Sequence, residues 1–388
     1  MPILLFALYA ACTGLLIFLY CFLIIRAIHH WHKLPVFQLP KGFQPQTFIS
    51  VLIPVRNEAA NIALCLQSIL QQNYPLPLFE IIVLDDHSED DTPLIVQKIK
   101  TVASNIRLLS LSDFEDEMPL NSYKKKAIEI GVAHAKGDLI VTTDGDCTVP
   151  KDWLLLLAAC YETQEPQLIA APVLFHQEKN WLEYFQSLDY AGMMLMTAAG
   201  IQSKTMRMSN GANLAYPKRV FLEVNGFQGI DHLASGDDML LAQKIAARYP
   251  QGITFLKSTH AAVLTQAKPN WRGFLNQRIR WATKSATYRE GRMIFVLGIV
   301  FLFCSNILLS LWMIPFVGWA MALVFVLQIA SKAIADYQLL GAACRFFQRQ
   351  DLMRTFFISE ILHTLYIVIV GILSNLIKKY EWKGRKVR

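Results

Sequence analysis

The chain has 388 residues, of which 54% are hydrophobic and only 17% are charged. A soluble protein this poor in charge is unusual, so the composition predicts membrane segments. The net charge of +7 is concentrated beside the apolar runs and in the tail 378–388, which favours an anionic membrane surface over nucleic acid as a partner. The seven cysteines have neither Cys-x-x-Cys nor zinc-ligand spacing, and their odd number argues against a disulfide framework.

The N-terminal segment 1–26 predicts a transmembrane anchor. Residues 2–25 are almost wholly apolar and long enough to cross a bilayer. Basic and histidine residues follow this run, whereas a signal peptide carries its positive charge before the apolar run. By the positive-inside rule, we expect an integral protein of the inner or plasma membrane, with the chain after residue 26 in the cytosol.

The region 46–270 alternates predicted strands with predicted helices. Apolar runs predict strands at 48–55, 79–84, 106–109, 139–143 and 168–174. Helical spacing predicts helices at 61–70, 92–100, 124–135 and 153–160. This alternation predicts an α/β domain with a mostly parallel sheet. Such sheets bind ligands beyond the carboxyl ends of their strands, where Asn57-Glu58, Asp85-Asp86 and Asp144/Asp146 lie.

Asp144 and Asp146 end the predicted strand 139–143 one residue apart. In an extended chain alternate side chains point the same way, so the two carboxylates share a face. Gly145 between them adds no bulk and would let a ligand approach. Paired acidic oxygens suit Mg²⁺ or Mn²⁺, which could bridge to a diphosphate. An isolated Asp-x-Asp is short and common, so a solvated acidic turn is the alternative, and the metal site depends on the neighbouring strand ends.

Three later segments of the chain have distinct patterns. The segment 181–199 is rich in Met and aromatic residues at helical spacing, which indicates either plain core packing or a groove for an acyl chain. The sequence Ser235-Gly236-Asp237-Asp238 predicts an N-terminal cap for a helix over 239–248. The segment 271–292 is basic and amphipathic, which predicts an interfacial helix.

The C-terminal region 293–377 contains further membrane segments. Spanning candidates cover 293–314, 316–330 and 352–377, with a polar amphipathic segment at 331–350. Arg354, Glu360 and His363 interrupt the last candidate. One anchor and three full spans would leave the basic tail outside, against the positive-inside rule. The sequence therefore favours re-entry by the short third segment or by the interrupted fourth one.

A set of short motifs in this order resembles the membrane-bound branch of the family-2 glycosyltransferases over residues 47–281. They are Pro54-Val55-Arg56-Asn57-Glu58, Val83-Leu84-Asp85-Asp86-His87-Ser88-Glu89-Asp90-Asp91-Thr92, Lys124-Lys125-Lys126-Ala127, Asp144-Gly145-Asp146, Asp237-Asp238 and Gln277-Arg278-Ile279-Arg280-Trp281. The last string matches the family's Gln-x-x-Arg-Trp signature. Two positions depart from the family pattern, since Asp237-Asp238 replaces the commoner Glu-Asp pair and Tyr123 replaces the usual glycine.

The resemblance implies a Rossmann-like GT-A catalytic domain, with a mostly parallel sheet, between N-terminal and C-terminal transmembrane helices. It implies that Asp144 and Asp146 hold a divalent cation (Mg²⁺ or Mn²⁺), which acts as a Lewis acid on the donor diphosphate. It also implies that Asp238, or its neighbour Asp237, is the base for the acceptor hydroxyl, with inversion at the anomeric carbon. The residues implied in donor binding are Pro54, Asn57, Glu58, Asp85, Asp86, Lys124, Lys125, Asp144, Gln277, Arg280 and Trp281.

Three functions fit these residues. The first is transfer of a sugar from a UDP-type nucleotide-sugar donor to a membrane lipid at the cytosolic leaflet. The second is a processive synthase that extends a cell-surface polysaccharide, although three or four apolar segments are few to line a channel. The third is a nucleotide-binding assembly partner without catalysis, against which the retained Asp144, Asp146, Asp238 and Arg280 argue. The oligomeric state is left open.

Overall fold

A computed structural model of the chain describes residues 3–114, 122–231, 233, 236–283 and 291–376, with the backbone of 380–382 and 385–387. Two compact units divide the chain. The helical unit comprises 1–34, 177–206 and 267–378, and the sheet unit comprises 35–176, 207–266 and 379–388. The domain boundaries expected at residues 46, 270, 292 and 377 stay predictions, and all side chains of the basic tail 378–388 lie outside those described.

The elements are numbered in chain order. The helices are α1 (Ile3–Lys33), α2 (Ile62–Leu70), α3 (Thr92–Lys100), α4 (Tyr123–His134), α5 (Trp153–Gln164), α6 (Trp181–Gln202), α7 (Lys218–Glu223), α8 (Asp237–Arg248), α9 (Trp271–Ala282), α10 (Gly291–Val317), α11 (Trp319–Phe346) and α12 (Phe356–Leu376). The strands are β1 (Ile49–Val55), β2 (Phe79–Asp85), β3 (Ile106–Ser110), β4 (Leu139–Thr142), β5 (Leu168–Ala170), β6 (Val173–Phe175), β7 (Leu214–Pro217), β8 (Ile253–Phe255), β9 (Val263–Thr265), β10 (Tyr380–Trp382) and β11 (Arg385–Val387).

Seven of the described strands of the sheet unit form one large sheet in the order β3-β2-β1-β4-β7-β5-β8. Strand β7 runs antiparallel to β4 and β5, whereas the other neighbours run parallel. The apolar β-branched residues of β1 and β2 are fully buried, as parallel strands covered on both faces require. The predicted α/β architecture with a mostly parallel sheet is therefore confirmed.

The single strand expected at 168–174 is wrong. It is two strands, and β5 lies in the large sheet while β6 pairs with β9 in a separate sheet. The break falls at Pro172, which has no N–H to donate to a strand ladder. Its carbonyl accepts hydrogen bonds from Asn213 Nδ2 at 2.7 Å and from Val263 N at 3.0 Å.

Among the described residues, four helical segments are long and apolar enough to cross a membrane: Ile3–Lys33, Gly291–Val317, Trp319–Phe346 and Gln350–Leu376. The expected separation of a short span at 316–330 from a polar segment at 331–350 is wrong, because α11 runs through both. Gln328, Lys332 and Asp336 recur every fourth residue and are buried on one face of this helix. The third segment is therefore long enough to span a membrane, and the reason for expecting its re-entry no longer applies. Re-entry of the fourth segment stays a prediction.

Helix α6 carries the Met/aromatic segment, and its pattern is mainly that of a core helix. Phe185, Tyr190 and Met194 are buried within the helical unit, while Met193 and Met196 are half-buried. Of the two interpretations of this segment, core packing is the one that fits the buried positions. The interfacial helix expected over 271–292 is described only as α9 and the start of α10, since 284–290 lie outside the described residues.

A buried ionic cluster explains how polar residues fit in the predicted spans. Lys332 Nζ lies 2.8 Å from Asp336 Oδ2 and 2.5 Å from Glu360 Oε1, and the lysine side chain is fully buried. Tyr20 OH donates to Asp336 Oδ1 at 2.7 Å. Glu360 therefore faces a cation inside the helical unit, and the cluster ties together α1, α11 and α12.

Replacing Lys332 by Met is expected to destabilise the helical unit by about 3–5 kcal/mol, because two buried carboxylates would lose their cation. Chemical unfolding of the protein in detergent micelles measures this loss. The matched control is Lys179→Met, which removes an exposed lysine from the same unit. Equal stability of the two variants would contradict the expected role of Lys332.

Candidate functional site

The three polar clusters expected at strand ends do meet at one edge of the sheet. Strand β1 pairs in parallel with β2 on one side and with β4 on the other, with Val55 opposite Asp85 and Leu52 opposite Thr142. The carboxyl ends of these three strands are therefore neighbours. Asp85 is the last residue of β2, and the loops that follow the strands carry Asn57-Glu58, Asp86 and Asp144/Asp146. Pro54, the other predicted residue of the first cluster, lies half-buried within β1.

Hydrogen bonds join the loops after β1 and β2 into one rim. Arg56 Nη1 donates to the carbonyl oxygens of Asp86 at 2.9 Å and His87 at 2.5 Å. In return, the side-chain oxygen of Asn57 accepts from Glu89 N at 2.8 Å. Glu58 is buried and its N–H donates to Thr92 Oγ1 at 2.8 Å. The resemblance gave no role to Arg56, yet it fixes the shape of the loop that carries Asp86.

Asp85 presents an unused acceptor at this rim. The residue is only 6% exposed, and its Oδ1 is buried without a hydrogen-bond partner among the described residues. Its other oxygen accepts one long hydrogen bond, from Ser88 N at 3.4 Å. A buried acceptor left unpaired costs free energy, so a ligand N–H or hydroxyl that reached Oδ1 would bind favourably. A nucleobase imide or a ribose hydroxyl is a donor of that kind.

Asp144, Asp146 and Cys147 form a candidate metal centre, because their ligand atoms lie within 4.8 Å of one another. The Cys147 thiol donates to Asp146 Oδ1 at 3.6 Å. Burial, reinforced by Asp146 and Asp144, raises the pKa of Cys147 well above its usual value. A hard divalent cation prefers the carboxylate oxygens to a sulfur ligand. Two partly exposed carboxylates of this kind fit a hard divalent cation.

Gly145 has a different role from the one expected. A Cβ atom at this position would lie 2.8 Å from Val55 Cγ1 and 3.2 Å from Glu58 Cγ. The glycine therefore lets the Asp-x-Asp turn pack against the loop after β1, which is a requirement of the fold rather than an opening for a ligand.

Lys124 links the two groups of carboxylates in the sheet unit. Its Nζ lies 2.7 Å from Asp144 Oδ1 and 3.3 Å from Asp237 Oδ2. Burial alone would lower the pKa of Lys124, but the carboxylates of Asp144 and Asp237 outweigh it and hold the pKa well above its usual value. Lys124 is thus a permanent cation between the Asp-x-Asp turn and the acid pair.

Lys125 points elsewhere. It is buried, and its Nζ donates to the carbonyl oxygens of Ile230 and Leu233 at 2.6 Å each. These contacts hold the chain that leads into α8. The donor contact expected for Lys125 therefore has no support in this geometry, whereas that for Lys124 does.

The acid pair opens helix α8 and is held by a glycine loop. Asp237 is buried and faces Lys124, while Asp238 is half-buried and its Oδ2 accepts from Gly211 N at 3.1 Å. A Cβ on Gly211 would lie 3.1 Å from Asp237 Oδ2 and 3.4 Å from Lys124 Nζ, so a larger residue would crowd the pair. Thr142 Oγ1 donates to the carbonyl of Gly211 at 2.7 Å. Ser235, part of the expected cap, lies outside the described residues.

The Gln-x-x-Arg-Trp string lies on α9, in the helical unit. Gln277 Oε1 is buried with no hydrogen-bond partner in the described part of the chain, and Arg280 and Trp281 are half-buried. The ring of Trp281 lies 5.9 Å from that of Tyr190.

The residue that anchors α9 is Arg278, which occupies an unassigned position inside the signature. Its guanidinium pairs with Asp189 at 2.8 Å. The pair was missed because the two residues are 89 positions apart and Asp189 resembles any polar helix residue.

Comparison with known families decides the assignment. The family model "Glycosyl transferase family 2" matches residues 50–222, and "Glycosyl transferase family group 2" matches residues 139–340, more than half of the chain. The chain belongs to glycosyltransferase family 2. The two matches together include every carboxylate of the site described above as well as the Gln-x-x-Arg-Trp string.

Two relatives and one solved structure are similar to this glycosyltransferase. Glycosyltransferase AglE of Haloferax volcanii is 36% identical over 107 residues, which are 28% of this chain and 33% of AglE. Beta-monoglucosyldiacylglycerol synthase of Trichormus variabilis is 25% identical over 135 residues, 34% of this chain and 28% of that enzyme. The chain thus spans a third or less of these two relatives.

The solved structure is the mannosyltransferase PcManGT from Pyrobaculum calidifontis, in complex with GDP-Man and Mn²⁺. It matches with a TM-score of 0.58 at 20% identity over 95% of this chain and 99% of that one. This likeness establishes the GT-A fold of the glycosyltransferase, flanked by apolar helices long enough to span a membrane.

Proposed function

We propose that this protein is an inverting, metal-dependent glycosyltransferase that moves a sugar from a UDP-type donor to a membrane lipid at the cytosolic leaflet. The observation that carries the proposal is Lys124, which joins the Asp-x-Asp turn to the acid pair. The Asp-x-Asp carboxylates, which suit a metal-bound donor diphosphate, and the acid pair, which suits an acceptor hydroxyl, are thus connected through the ammonium group of Lys124. Direct displacement at an anomeric carbon needs this juxtaposition.

The donor would bind at the rim formed at the carboxyl ends of β1, β2 and β4. Asp85 Oδ1 would accept from the nucleobase, with Asp86, Asn57 and Glu58 completing the rim. Asp144 and Asp146 would hold Mg²⁺ or Mn²⁺, which neutralises the leaving diphosphate as a Lewis acid. Lys124 adds a fixed positive charge beside Asp144. Gln277, Arg280 and Trp281 keep the donor or acceptor roles that the family resemblance gives them.

Asp238 is the proposed base. Its half-buried carboxylate is oriented by the Gly211 N–H, whereas Asp237 is buried against Lys124. Asp238 is therefore the carboxylate available to take the proton from an acceptor hydroxyl. No protein nucleophile is used, so the single displacement inverts the anomeric configuration.

Three features support a lipid acceptor. They also support a location in the inner or plasma membrane, with the catalytic domain in the cytosol. The described residues include four segments able to span a bilayer, with basic residues at the end of α1. A relative is named as a glucosyldiacylglycerol synthase. Helix α9 ends nine residues before α10 begins, so the length of chain between them keeps Trp281 within roughly 35 Å of the start of α10. A polysaccharide synthase or a non-catalytic partner would be the outcome if lipid transfer fails.

The test is incubation of the protein in detergent with UDP- and GDP-sugars, Mn²⁺ and a membrane lipid extract. We expect one UDP-sugar to be consumed and one lipid class to gain the mass of one sugar. Long soluble polymer as the product would favour the synthase. Nucleotide binding without turnover of any donor would favour the binding partner.

Asp85→Asn should lower UDP affinity by about tenfold, because an amide nitrogen would replace one acceptor oxygen facing the base. Isothermal calorimetry with UDP and Mn²⁺ measures the change. Asp113→Asn, an exposed carboxylate in the same unit, is the control. Unchanged affinity in Asp85→Asn would remove Asp85 from the donor site.

A further inference from the structure

Asp189 joins three helices of the helical unit. On α6, its Oδ2 pairs with Arg278 Nη2 of α9 at 2.8 Å, and its Oδ1 accepts from Tyr366 OH of α12 at 3.0 Å. The side chains of Asp189 and Arg278 are 8% and 4% exposed. A charge-assisted hydrogen bond this well shielded from water is much less screened than a surface pair.

Arg278 is enclosed by aromatic rings. Its guanidinium carbon lies 4.7 Å from the ring centre of Trp281, 5.2 Å from that of Phe274 and 5.8 Å from that of Tyr366. A guanidinium over an aromatic face at these distances is attracted by the ring quadrupole and also packs as a flat plate. The ring of Tyr190 lies beside Trp281 as well, tilted by 30°.

We propose that Asp189 is a positioning residue for the reaction: it fixes Arg278, and the guanidinium of Arg278 fixes the indole of Trp281. The signature residue Trp281 is then oriented by a carboxylate 92 positions earlier in the chain, through Arg278 as the intermediate. This inference rests on the proposed function, since it is transfer to the acceptor that the orientation of Trp281 serves.

An ordinary stabilising ion pair is the competing explanation, and the helical unit supplies a matched control for it. Glu178 Oε2 pairs with Arg349 at 3.0 Å, and the two side chains are 6% and 22% exposed. Glu178 also accepts a hydrogen bond from Ser187 on α6, and Arg349 also pairs with Asp351, beyond α11, and neither of these partners lies on α9. Glu178→Gln therefore removes a similar pair without touching Arg278.

Kinetics of single and double variants separate the two explanations. Asp189→Asn and Trp281→Phe are each expected to lower kcat/KM for the acceptor by about tenfold to a hundredfold. Because both act through the same indole, the double variant should lose little more than the worse single variant. Additive losses, or an equal loss in Glu178→Gln, would overturn the proposal.

An activity-independent readout uses ¹⁹F NMR of protein labelled with 5-fluorotryptophan, with the Trp281 resonance assigned from its loss in Trp281→Phe. Asp189→Asn and Arg278→Lys should both shift that resonance, the latter because an ammonium lacks the flat face of a guanidinium. Glu178→Gln should leave it in place. An unmoved resonance in Asp189→Asn would contradict the proposal.

Two further results distinguish failure of this proposal from misfolding of Asp189→Asn and from failure of the proposed function. If Asp189→Asn does not fold, Tyr366→Phe removes one hydrogen bond to Asp189 without leaving a charge unpaired, and a smaller shift of the same resonance is expected. No shift in Tyr366→Phe would then overturn the proposal. If the wild-type protein transfers no sugar, the proposed function fails, while the NMR result still decides whether Asp189 orients Trp281.

Discussion

Asp238→Asn is expected to lower kcat by about 10²–10⁴-fold, which is the usual contribution of a general base. The asparagine keeps the shape of the side chain, but its one oxygen can accept from only one of Gly211 N and Met239 N, and it cannot take a proton from the acceptor. Donor affinity should be unchanged, because the base acts on the other substrate. The measurement is steady-state transfer beside calorimetry of UDP binding.

The neighbouring acid and an exposed one provide the comparisons. Asp237→Asn removes the carboxylate that faces Lys124, so it should weaken donor binding as well as transfer. Asp113→Asn, an exposed change in the same unit, should leave both unaltered. If Asp237→Asn abolishes transfer with normal donor binding and Asp238→Asn does not, the base is Asp237.

Asp146→Asn is expected to abolish the metal dependence of donor binding, at a cost of about 10²-fold or more in UDP affinity with Mn²⁺ present. The carboxylate is one of the two proposed charged ligands beyond the end of a buried strand, and a metal clamp on a diphosphate contributes several kcal/mol. Calorimetry of UDP with and without Mn²⁺ measures the difference. In the variant, both titrations should give the same weak affinity.

Cys147→Ser is the matched control for Asp146→Asn. It alters the adjacent candidate ligand but leaves both carboxylates in place, and these supply the oxygen ligands that a hard cation prefers. Metal dependence should therefore persist in Cys147→Ser. Retained metal dependence in Asp146→Asn would show that the cation is held elsewhere.

The sheet and the location of its polar edge follow from local patterns. Buried apolar runs separated by amphipathic helices specify parallel strands, and the loops after β1, β2 and β4 then share one edge wherever the chain runs in between. Pro172 was also a local signal for a break, because proline has no N–H to donate to a neighbouring strand. The prediction of a single strand across it was an error of interpretation.

Other features depend on contacts distant in sequence. The polar half of α11 is helical and buried because Lys332 meets Glu360 from another helix, which no window of sequence around either residue specifies. The same is true of Lys125, whose carbonyl partners lie over a hundred positions away, and of Arg278 with Asp189. Tertiary pairing decides which of several equivalent basic residues faces the site.

The most direct test is analysis of the product formed by protein reconstituted in lipid vesicles with the UDP-sugar that it consumes. We expect a glycolipid with one added sugar, whose anomeric configuration by NMR is opposite to that of the donor, and none from Asp238→Asn. A product that retains the donor's configuration, or a sugar found only in soluble polymer, would contradict inverting transfer to a lipid.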